Sequence, residues 1–291
     1  MTHTKLRTVT TVAELRAVVG EWKGQSRKST LVPTMGALHK GHLEIIRMAR
    51  TLADRTIVSI FVNPTQFNNP SDLANYPRNL EADTKLLESA GVEVLFAPEQ
   101  KQMYPEDFAT KITVSKVSEG LCGASRPGHF EGVATIVAKL FNQSQADFAV
   151  LGEKDYQQLH VVRRMTRDLD IPINIVAHPT VREPDGLAMS SRNTRLTPEE
   201  RKLAPELIRQ LYIAAESFKK GKPADEIYHT ARTAILSAGF SSIDYFELRA
   251  ERDLMPLHSL SETSRLLVAA NLGRVRLIDN VALPSSAAGA N

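Results

Sequence analysis

The sequence predicts an α/β protein: a doubly wound, Rossmann-like parallel sheet followed by a smaller C-terminal α+β domain. Two observations support this fold class. Over the first two thirds of the 291 residues, short apolar runs alternate with longer helical patterns, and this alternation stops near Pro184-Asp185-Gly186. Ligands of doubly wound sheets bind at the carboxyl ends of the strands. The loops after each predicted strand are therefore the first places to look for a site.

The strands of the first domain are predicted from short runs rich in branched and aromatic residues. In the intervening segments apolar residues recur at helical spacing, and Leu43, Ile46, Ala49 and Ala53, for example, share one helical face. The predicted strands are 29–34, 56–62, 92–97, 147–151 and 173–181, and further helices are predicted at about 79–90, 132–145 and 155–170.

The second domain is predicted to begin after the turn at Pro184. Thr197 has the character of a helix N-cap, with Pro198 at the first helical position and acidic residues in the first turn. We expect domains of residues 1–184 and 185–291, the second acting as a lid. Its predicted elements are helices 198–219 and 223–238 and strands 243–249, 265–270 and 275–278.

Composition and charge exclude several classes of protein. Hydrophobic residues make up 42% and charged residues 24% of the chain, which is typical of a globular protein. The 36 basic and 33 acidic residues give a formal charge of +3 without a like-charge run of five, so neither nucleic acid nor a membrane surface is indicated. Cys122 is the only cysteine, which excludes an intrachain disulfide and a multi-cysteine zinc site. We expect a cytoplasmic protein.

The strongest local motif lies between the first strand and the first helix. His39 and His42 are three residues apart, and Gly41 stands beside the second histidine. Backbone N–H groups at a helix start attract anions, and the same positive end disfavours an imidazolium, so neutral histidines could donate to phosphate oxygens here. The glycine spacing mimics a P-loop, but His42 and Leu43 occupy the Lys and Ser/Thr positions, which excludes a Walker A motif.

A second motif follows the last strand of the first domain. Ser190, Ser191 and Arg192 supply two hydroxyls and a guanidinium, which suit a triphosphate. Alone, this segment is better explained as a polar interdomain loop. Its combination with the His-x-x-His turn favours the phosphate site.

The two motifs resemble the HIGH and KMSKS signatures of the nucleotidyl transferase superfamily. Longer strings in the same order resemble the pantothenate synthetase family, the pantoate:beta-alanine ligases. These strings are PTMGALHKGH at 33–42, SIFVNPTQF at 59–67, RPGHFEGV at 126–133, LGEKDYQQ at 151–158, PTVREPDG at 179–186 and MSSR at 189–192.

The resemblance implies a two-step ligation that requires ATP with Mg²⁺. Pantoate and ATP would give pantoyl adenylate and pyrophosphate, and the amine of beta-alanine would then displace AMP. It also implies a homodimer whose other partners are these small molecules, with no nucleic acid and no membrane. The acyl adenylate is sensitive to water, so we expect the loops to close before the chemistry.

The resemblance also implies roles for individual residues. His42 would be a proton donor, with His39, Lys154 and Arg192 as the other catalytic residues on the phosphates. Gln66 would contact both pantoate and beta-alanine, and Gln158 would hold pantoate on its other side. The ATP site would comprise Met35, Gly36, Ala37, Leu38, His39, Lys40, Gly41, His42, Gly152, Glu153, Lys154, Asp155, Val181, Met189, Ser190, Ser191 and Arg192.

Some interpretations stay open at this point. Arg126 and His129 are as compatible with support of the substrate site as with a purely structural role. Glu81 and Asp83 are better explained as solvated helix positions than as magnesium ligands. The alternative functions are a nucleotidyl transferase with another acceptor, a tRNA-binding synthetase relative and a non-catalytic nucleotide-binding module. The local strings around Gln66 and Gln158 favour pantoate.

Overall fold

The computed structural model describes residues 5–284, which pack as two compact units. The first unit contains the described residues up to Ser118 together with Arg126–Glu153 and Gln158–Pro179. The second contains Glu119–Ser125, Lys154–Gln157 and the described chain from Thr180 onward. The chain enters the second unit for the last time at Thr180, a few residues before the boundary predicted at 184. Two short segments from earlier in the chain also belong to the second unit.

A parallel sheet forms the centre of the first unit. Within residues 5–284 it has six strands in the order β1-β4-β3-β2-β5-β6, which confirms the predicted α/β class. From β2, the next two strands in the chain, β3 and β4, follow on one side of the sheet, whereas β5 lies on the other side of β2. This reversal is a topological switch point, and the crevice beyond the carboxyl ends of β2 and β5 is where such folds bind ligands. The strands are β1 (Arg7–Val9), β2 (Ser29–Thr34), β3 (Arg55–Ile60), β4 (Val94–Phe96), β5 (Phe148–Gly152) and β6 (Asn174–His178).

Helices with an apolar face pack against this sheet, and α2 (Lys40–Leu52) is the clearest example. In α2, Ile46 and Ala49 are fully buried in one cluster with Val32, Val58 and Val150 of the strands. The other helices up to residue 168 are α1 (Val12–Gly24), α3 (Pro70–Ala74), α4 (Leu80–Ser89), α5 (Gln100–Met103), α6 (Leu121–Ser125), which belongs to the second unit, α7 (His129–Ser144) and α8 (Tyr156–Asp168).

The second unit is α+β, as predicted. Its antiparallel sheet joins β7 (Ser242–Ala250), β8 (Ser264–Leu272) and β9 (Val275–Leu283), and α9 (Pro198–Leu203), α10 (Glu206–Lys219) and α11 (Ala224–Ser237) precede it in the chain. The predicted helix 198–219 is two helices, because Pro205 cannot donate the backbone hydrogen bond that would continue the first. Buried side chains of α10, α11 and the sheet form one hydrophobic core.

Across residues 5–284, no helix is both long enough and apolar enough to cross a membrane.

Candidate active site

The turn between β2 and α2 reverses the chain through two left-handed residues. Gly36 has a φ of +78° and Ala37 a φ of +52°. Glycine adopts this conformation freely, whereas alanine pays a steric penalty there. The carboxylate of Asp83 stabilises the turn, accepting from Ala37 N–H at 2.9 Å and from Leu38 N–H at 2.7 Å. The turn is therefore held in one strained conformation at the switch point of the sheet.

The backbone N–H groups of this turn are bonded within the first unit. Gly36 N–H donates to Thr34 Oγ1 at 3.1 Å, Gly41 N–H to His39 Nδ1 at 3.1 Å and His39 N–H to His42 Nδ1 at 3.3 Å. The sequence interpretation had these groups pointing outward toward a phosphate. The structure instead bonds these N–H groups to side chains of the β2–α2 segment, just as it bonds those of Ala37 and Leu38 to Asp83 of α4.

These hydrogen bonds fix the protonation of both histidines. A nitrogen that accepts a hydrogen bond carries no proton, so each neutral ring bears its proton on Nε2. The two rings lie 4.1 Å apart between centroids. Protonating either Nδ1 would break a helix cap and place positive charge at the positive end of α2. In this arrangement His39 and His42 are neutral and carry their protons on Nε2.

Gln66 lies in the loop that follows β3, beside the same turn. Its side chain is buried, donates from Nε2 to Met35 Sδ at 3.2 Å and accepts from Asn63 Nδ2 at 3.1 Å. Asn63 Nδ2 also donates to the carbonyl of Gly132 at 3.1 Å. The loops after two neighbouring parallel strands therefore bring Met35 and Gln66 together.

Arg126 and His129 hold the backbone of Gln66. His129 Nδ1 donates to the Gln66 carbonyl at 2.8 Å, and Arg126 donates to that carbonyl at 3.3 Å and to His129 Nε2 at 3.1 Å. Because Nδ1 must donate and Nε2 must accept, His129 is neutral in this network. Arg126 and His129 thus hold the loop that carries Gln66 through its backbone.

The remaining predicted residues of the first unit follow β5 and β2. Gly152 ends β5, Glu153 begins the single turn Glu153–Asp155, and Gln158 is half-buried on α8. In the β2–α2 turn Gly36, Leu38 and Gly41 are buried, whereas Lys40 is exposed.

Lys154 and Asp155 follow directly after Glu153. Lys154, in the second unit, has its Nζ 3.5 Å from Asp155 Oδ2, and its carbonyl accepts from Asn280 Nδ2 at 3.1 Å. Burial raises the pKa of the neighbouring Asp279 carboxyl, while the charges of Arg182 and Lys154 oppose that rise. Lys154 is therefore anchored through its backbone, beside a buried acidic residue of β9.

A hairpin brings Val181 next to the Ser-Ser-Arg segment. Met189 N–H donates to the Val181 carbonyl at 2.9 Å, and Asn193 Nδ2 donates to the Ala188 carbonyl at 3.0 Å. Ser190 Oγ accepts from Arg192 N–H at 3.2 Å and so caps the short turn Ser191–Arg195. The structure thus joins Val181 and Met189–Arg192 in one local substructure.

Arg182 anchors this hairpin to the second-unit sheet. Its guanidinium forms a bidentate pair with Asp279 at 2.6 and 2.9 Å and donates to the Gly186 carbonyl at 3.0 Å. Sequence reasoning missed Arg182, Asn193 and Asp279. Arg182 lies inside the PTVREPDG string and Asn193 directly follows MSSR, so position within the motifs was the available signal; Asp279 had none.

The six-stranded parallel sheet, with the His-x-x-His turn at its switch point, defines an α/β protein of the doubly wound, Rossmann-like class. The family model described as pantoate-beta-alanine ligase matches residues 7–282. The chain belongs to this family.

Known proteins resemble this chain in sequence and structure over nearly its whole length. A pantothenate synthetase from Chelativorans sp. is 56% identical over 271 residues, covering 93% of this chain and 95% of that protein. The solved pantothenate synthetase of Thermus thermophilus has a TM-score of 0.90 at 46% identity, covering 96% and 99% of the two chains. The pantoate-beta-alanine ligase of Francisella tularensis, solved with beta-gamma ATP and beta-alanine, has a TM-score of 0.82 at 35% identity, covering 95% and 97%.

Proposed function

We propose that the protein condenses pantoate with beta-alanine at the expense of ATP, through a pantoyl adenylate. The observation that carries the proposal is the pair of capped histidines at the switch point of a chain that matches the ligase family over residues 7–282. The Francisella relative, solved with an ATP species and beta-alanine, supports the same substrates.

In the first step, a carboxylate oxygen of pantoate attacks the α-phosphorus of ATP. The bond from that phosphorus to the bridging oxygen breaks, and pyrophosphate leaves with the bonding electrons. His39 and His42 donate from Nε2 to phosphate oxygens, and Lys154 and Arg192 offset the charge that develops on the leaving group. The acceptor role of His42 Nδ1 leaves the proton on Nε2, which supports this donor role.

In the second step, the amine of beta-alanine attacks the acyl carbon of the adenylate. The bond from the acyl carbon to the AMP oxygen breaks, AMP leaves with its electrons, and the nitrogen releases one proton to solvent as the amide forms. Gln66 and Gln158 orient pantoate with neutral amide groups, which leave its carboxylate more nucleophilic than a tight ion pair would. The residues proposed to bind the nucleotide are Met35–His42 and Gly152–Glu153 in the first unit, and Lys154, Asp155, Val181 and Met189–Arg192 in the second.

The proposal includes Mg²⁺ that arrives with the nucleotide. Among residues 5–284, no three His, Cys, Asp or Glu side chains come together as a metal cage. Mg²⁺ commonly keeps several waters and binds through substrate phosphates with few protein ligands, so the residues present fit a metal of this kind. Bound to ATP, it would reduce the repulsion between the pantoate carboxylate and the phosphates.

The proposal also includes a homodimer in the cytoplasm. The lone buried Cys122 suits a reducing compartment. Light scattering on the purified protein measures the mass in solution, and a monomer mass at micromolar concentration would remove the dimer from the proposal.

The function is tested by following the two products separately. Purified protein with ATP and Mg²⁺ should release pyrophosphate when pantoate is added, and AMP should form rapidly once beta-alanine follows. Omitting pantoate is the control. If the protein binds ATP yet stays silent with pantoate, the acceptor is wrong, and the alternative of a nucleotidyl transferase with another carboxylate or phosphate acceptor replaces it.

A further inference from the structure

Asp83 lies in the first turn of α4, and no step of the proposed reaction uses it. The residue is only 3% exposed. A buried carboxylate is costly unless its oxygens are hydrogen-bonded. Here Oδ2 accepts from Ala37 N–H and Oδ1 from Leu38 N–H, at 2.9 and 2.7 Å. Both oxygens of Asp83 are therefore engaged by the turn that leads into the two histidines.

Asp83 contacts the turn where its backbone is strained. Ala37 has a φ of +52°, which disfavours a residue with a side chain, and a Cβ added at Gly36 would lie 3.0 Å from Asp83 Oδ2. Strained conformations persist only where the surroundings over-determine them. The carboxylate supplies that constraint, and the bare Gly36 gives it room to approach.

The histidine caps begin directly after this constraint. His39 is the N-cap of α2, one residue beyond Leu38, and accepts through Nδ1 from Gly41 N–H. His42 Nδ1 in turn accepts from His39 N–H. Both bonds depend on the path of the backbone through residues 37–39, since that path sets where the His39 N–H and ring are placed.

We propose that Asp83 is a positioning residue for adenylation: its carboxylate clamps the turn so that His39 and His42 keep their Nδ1 caps and present Nε2–H to the nucleotide. The catalytic consequence rests on the proposed function. The fixing of the two tautomers does not. With both oxygens bonded and only 3% of its surface exposed, Asp83 is not the solvated position that the sequence favoured.

The carboxylate is specific to this task because it accepts at two oxygens. An asparagine accepts at one, and its amide N–H₂ would face the second backbone donor. Asp83→Asn therefore changes one interaction at constant size. Glu81→Gln is a matched control, because Glu81 lies on the same helix, loses the same charge and has a side chain that is 81% exposed beside Lys85.

The test compares both variants with the wild type in three measurements. Steady-state pyrophosphate release gives kcat and the KM for pantoate, thermal unfolding checks the fold, and long-range ¹H–¹⁵N spectra of ¹⁵N-histidine protein report the tautomers. His39 and His42 signals are assigned from His→Gln variants. Asp83→Ser, which keeps one oxygen acceptor without the amide clash, serves if Asp83→Asn does not fold.

For Asp83→Asn we expect kcat to fall about 10²-fold, the loss typical of a small misplacement of reacting groups. The KM for pantoate should stay within about threefold, because Gln66 and Gln158 are untouched. The His39 and His42 signals should leave the pure Nε2–H pattern, and Glu81→Gln should match the wild type throughout.

Unchanged kcat and unchanged histidine signals in a folded Asp83 variant would overturn the proposal, as would a loss of kcat with both tautomers intact. If the wild type itself releases no pyrophosphate with pantoate, the proposed function fails. The tautomer comparison then still decides whether Asp83 fixes the two histidines.

Discussion

Gly132→Ala is expected to disturb the loop that carries Gln66. Gly132 lies in the first turn of α7, and a Cβ built there would meet Thr65 O at 2.5 Å and Gln66 N at 2.7 Å. Both neighbours are backbone atoms, so no side chain can rotate away. Ordinary contact begins at 3.4 Å, so the loop and the helix must separate by roughly 0.9 Å at the closest atom.

Two opposing effects set the magnitude. Replacing a helical glycine with alanine favours the helix by up to about 1 kcal/mol, whereas overpacking a filled site costs about 1–3 kcal/mol. With backbone on both sides the overpacking dominates, and we expect the free energy of unfolding to fall by about 1–2 kcal/mol. Because a displacement near 1 Å can cost about 10²-fold in rate, kcat/KM for pantoate should fall by about that factor.

Gly20→Ala is the matched control. Gly20 is an exposed glycine of α1, and no atom lies within 4 Å of the position that an added methyl group would take. The same substitution should therefore stabilise the protein here by about 0.5–1 kcal/mol. Urea unfolding gives the free energies, and pantoate-dependent pyrophosphate release gives kcat/KM. The reasoning is refuted if Gly132→Ala proves as stable as Gly20→Ala, or if its kcat/KM for pantoate equals that of the wild type.

Three further substitutions probe the rest of the site. His42→Ala should keep the fold but lower pantoate-dependent pyrophosphate release by about 10²- to 10³-fold, as loss of one transition-state donor does. Gln158→Ala should raise the KM for pantoate more than that for ATP. Arg182→Met should lower the free energy of unfolding by about 3–5 kcal/mol at pH 7, since it leaves the Asp279 carboxylate buried without its charged partner. Burial raises the pKa of Asp279, so this penalty is full above the raised folded value and disappears below the unfolded value of about 3.9.

A specific result would contradict each of these three predictions. Pyrophosphate release by His42→Ala at the wild-type rate would remove His42 from the catalytic residues. Equal rises of both KM values would move Gln158 out of the pantoate site. A loss in Arg182→Met that grows as the pH is lowered from 7 to 5 would contradict the sign derived for Asp279.

Periodicity predicted most of the fold because most elements bury one face. Strand 29–34 was predicted to the residue, and helix 223–238 lies within one residue of α11 at each end. β1, Arg7–Val9, was missed because three residues are too short to establish a period. The break at Pro205 was missed because Leu203, Leu207 and Leu211 keep helical spacing across it, which hides the backbone constraint.

The candidate site divides in a similar way. Residues within the matched strings could be proposed from the sequence, because their types and order carry the chemistry. The roles of Asp83 and Asp279 could not, since each acts on a segment far away in the chain: Asp83 on Ala37 and Leu38, and Asp279 on Arg182. Only the folded structure shows that N–H groups of the turn into α2 are bonded within the protein, to side chains that include Asp83.

The two short segments that join the second unit bear on how this protein can be divided. Residues 185–291 look like a separable module in the sequence, yet the unit that contains them includes partners from earlier in the chain. Arg276 donates to Ser125 Oγ at 3.0 Å, Asn280 to the Lys154 carbonyl at 3.1 Å, and the Arg265 guanidinium stacks 3.7 Å from the Tyr156 ring. A fragment cut at residue 180 would lose all three contacts. A chimera of two relatives joined at residue 180 would keep these contacts only if residues 119–125 and 154–157 of one parent matched the second unit of the other. The second unit is therefore not a domain that can be exchanged by a single crossover at that residue.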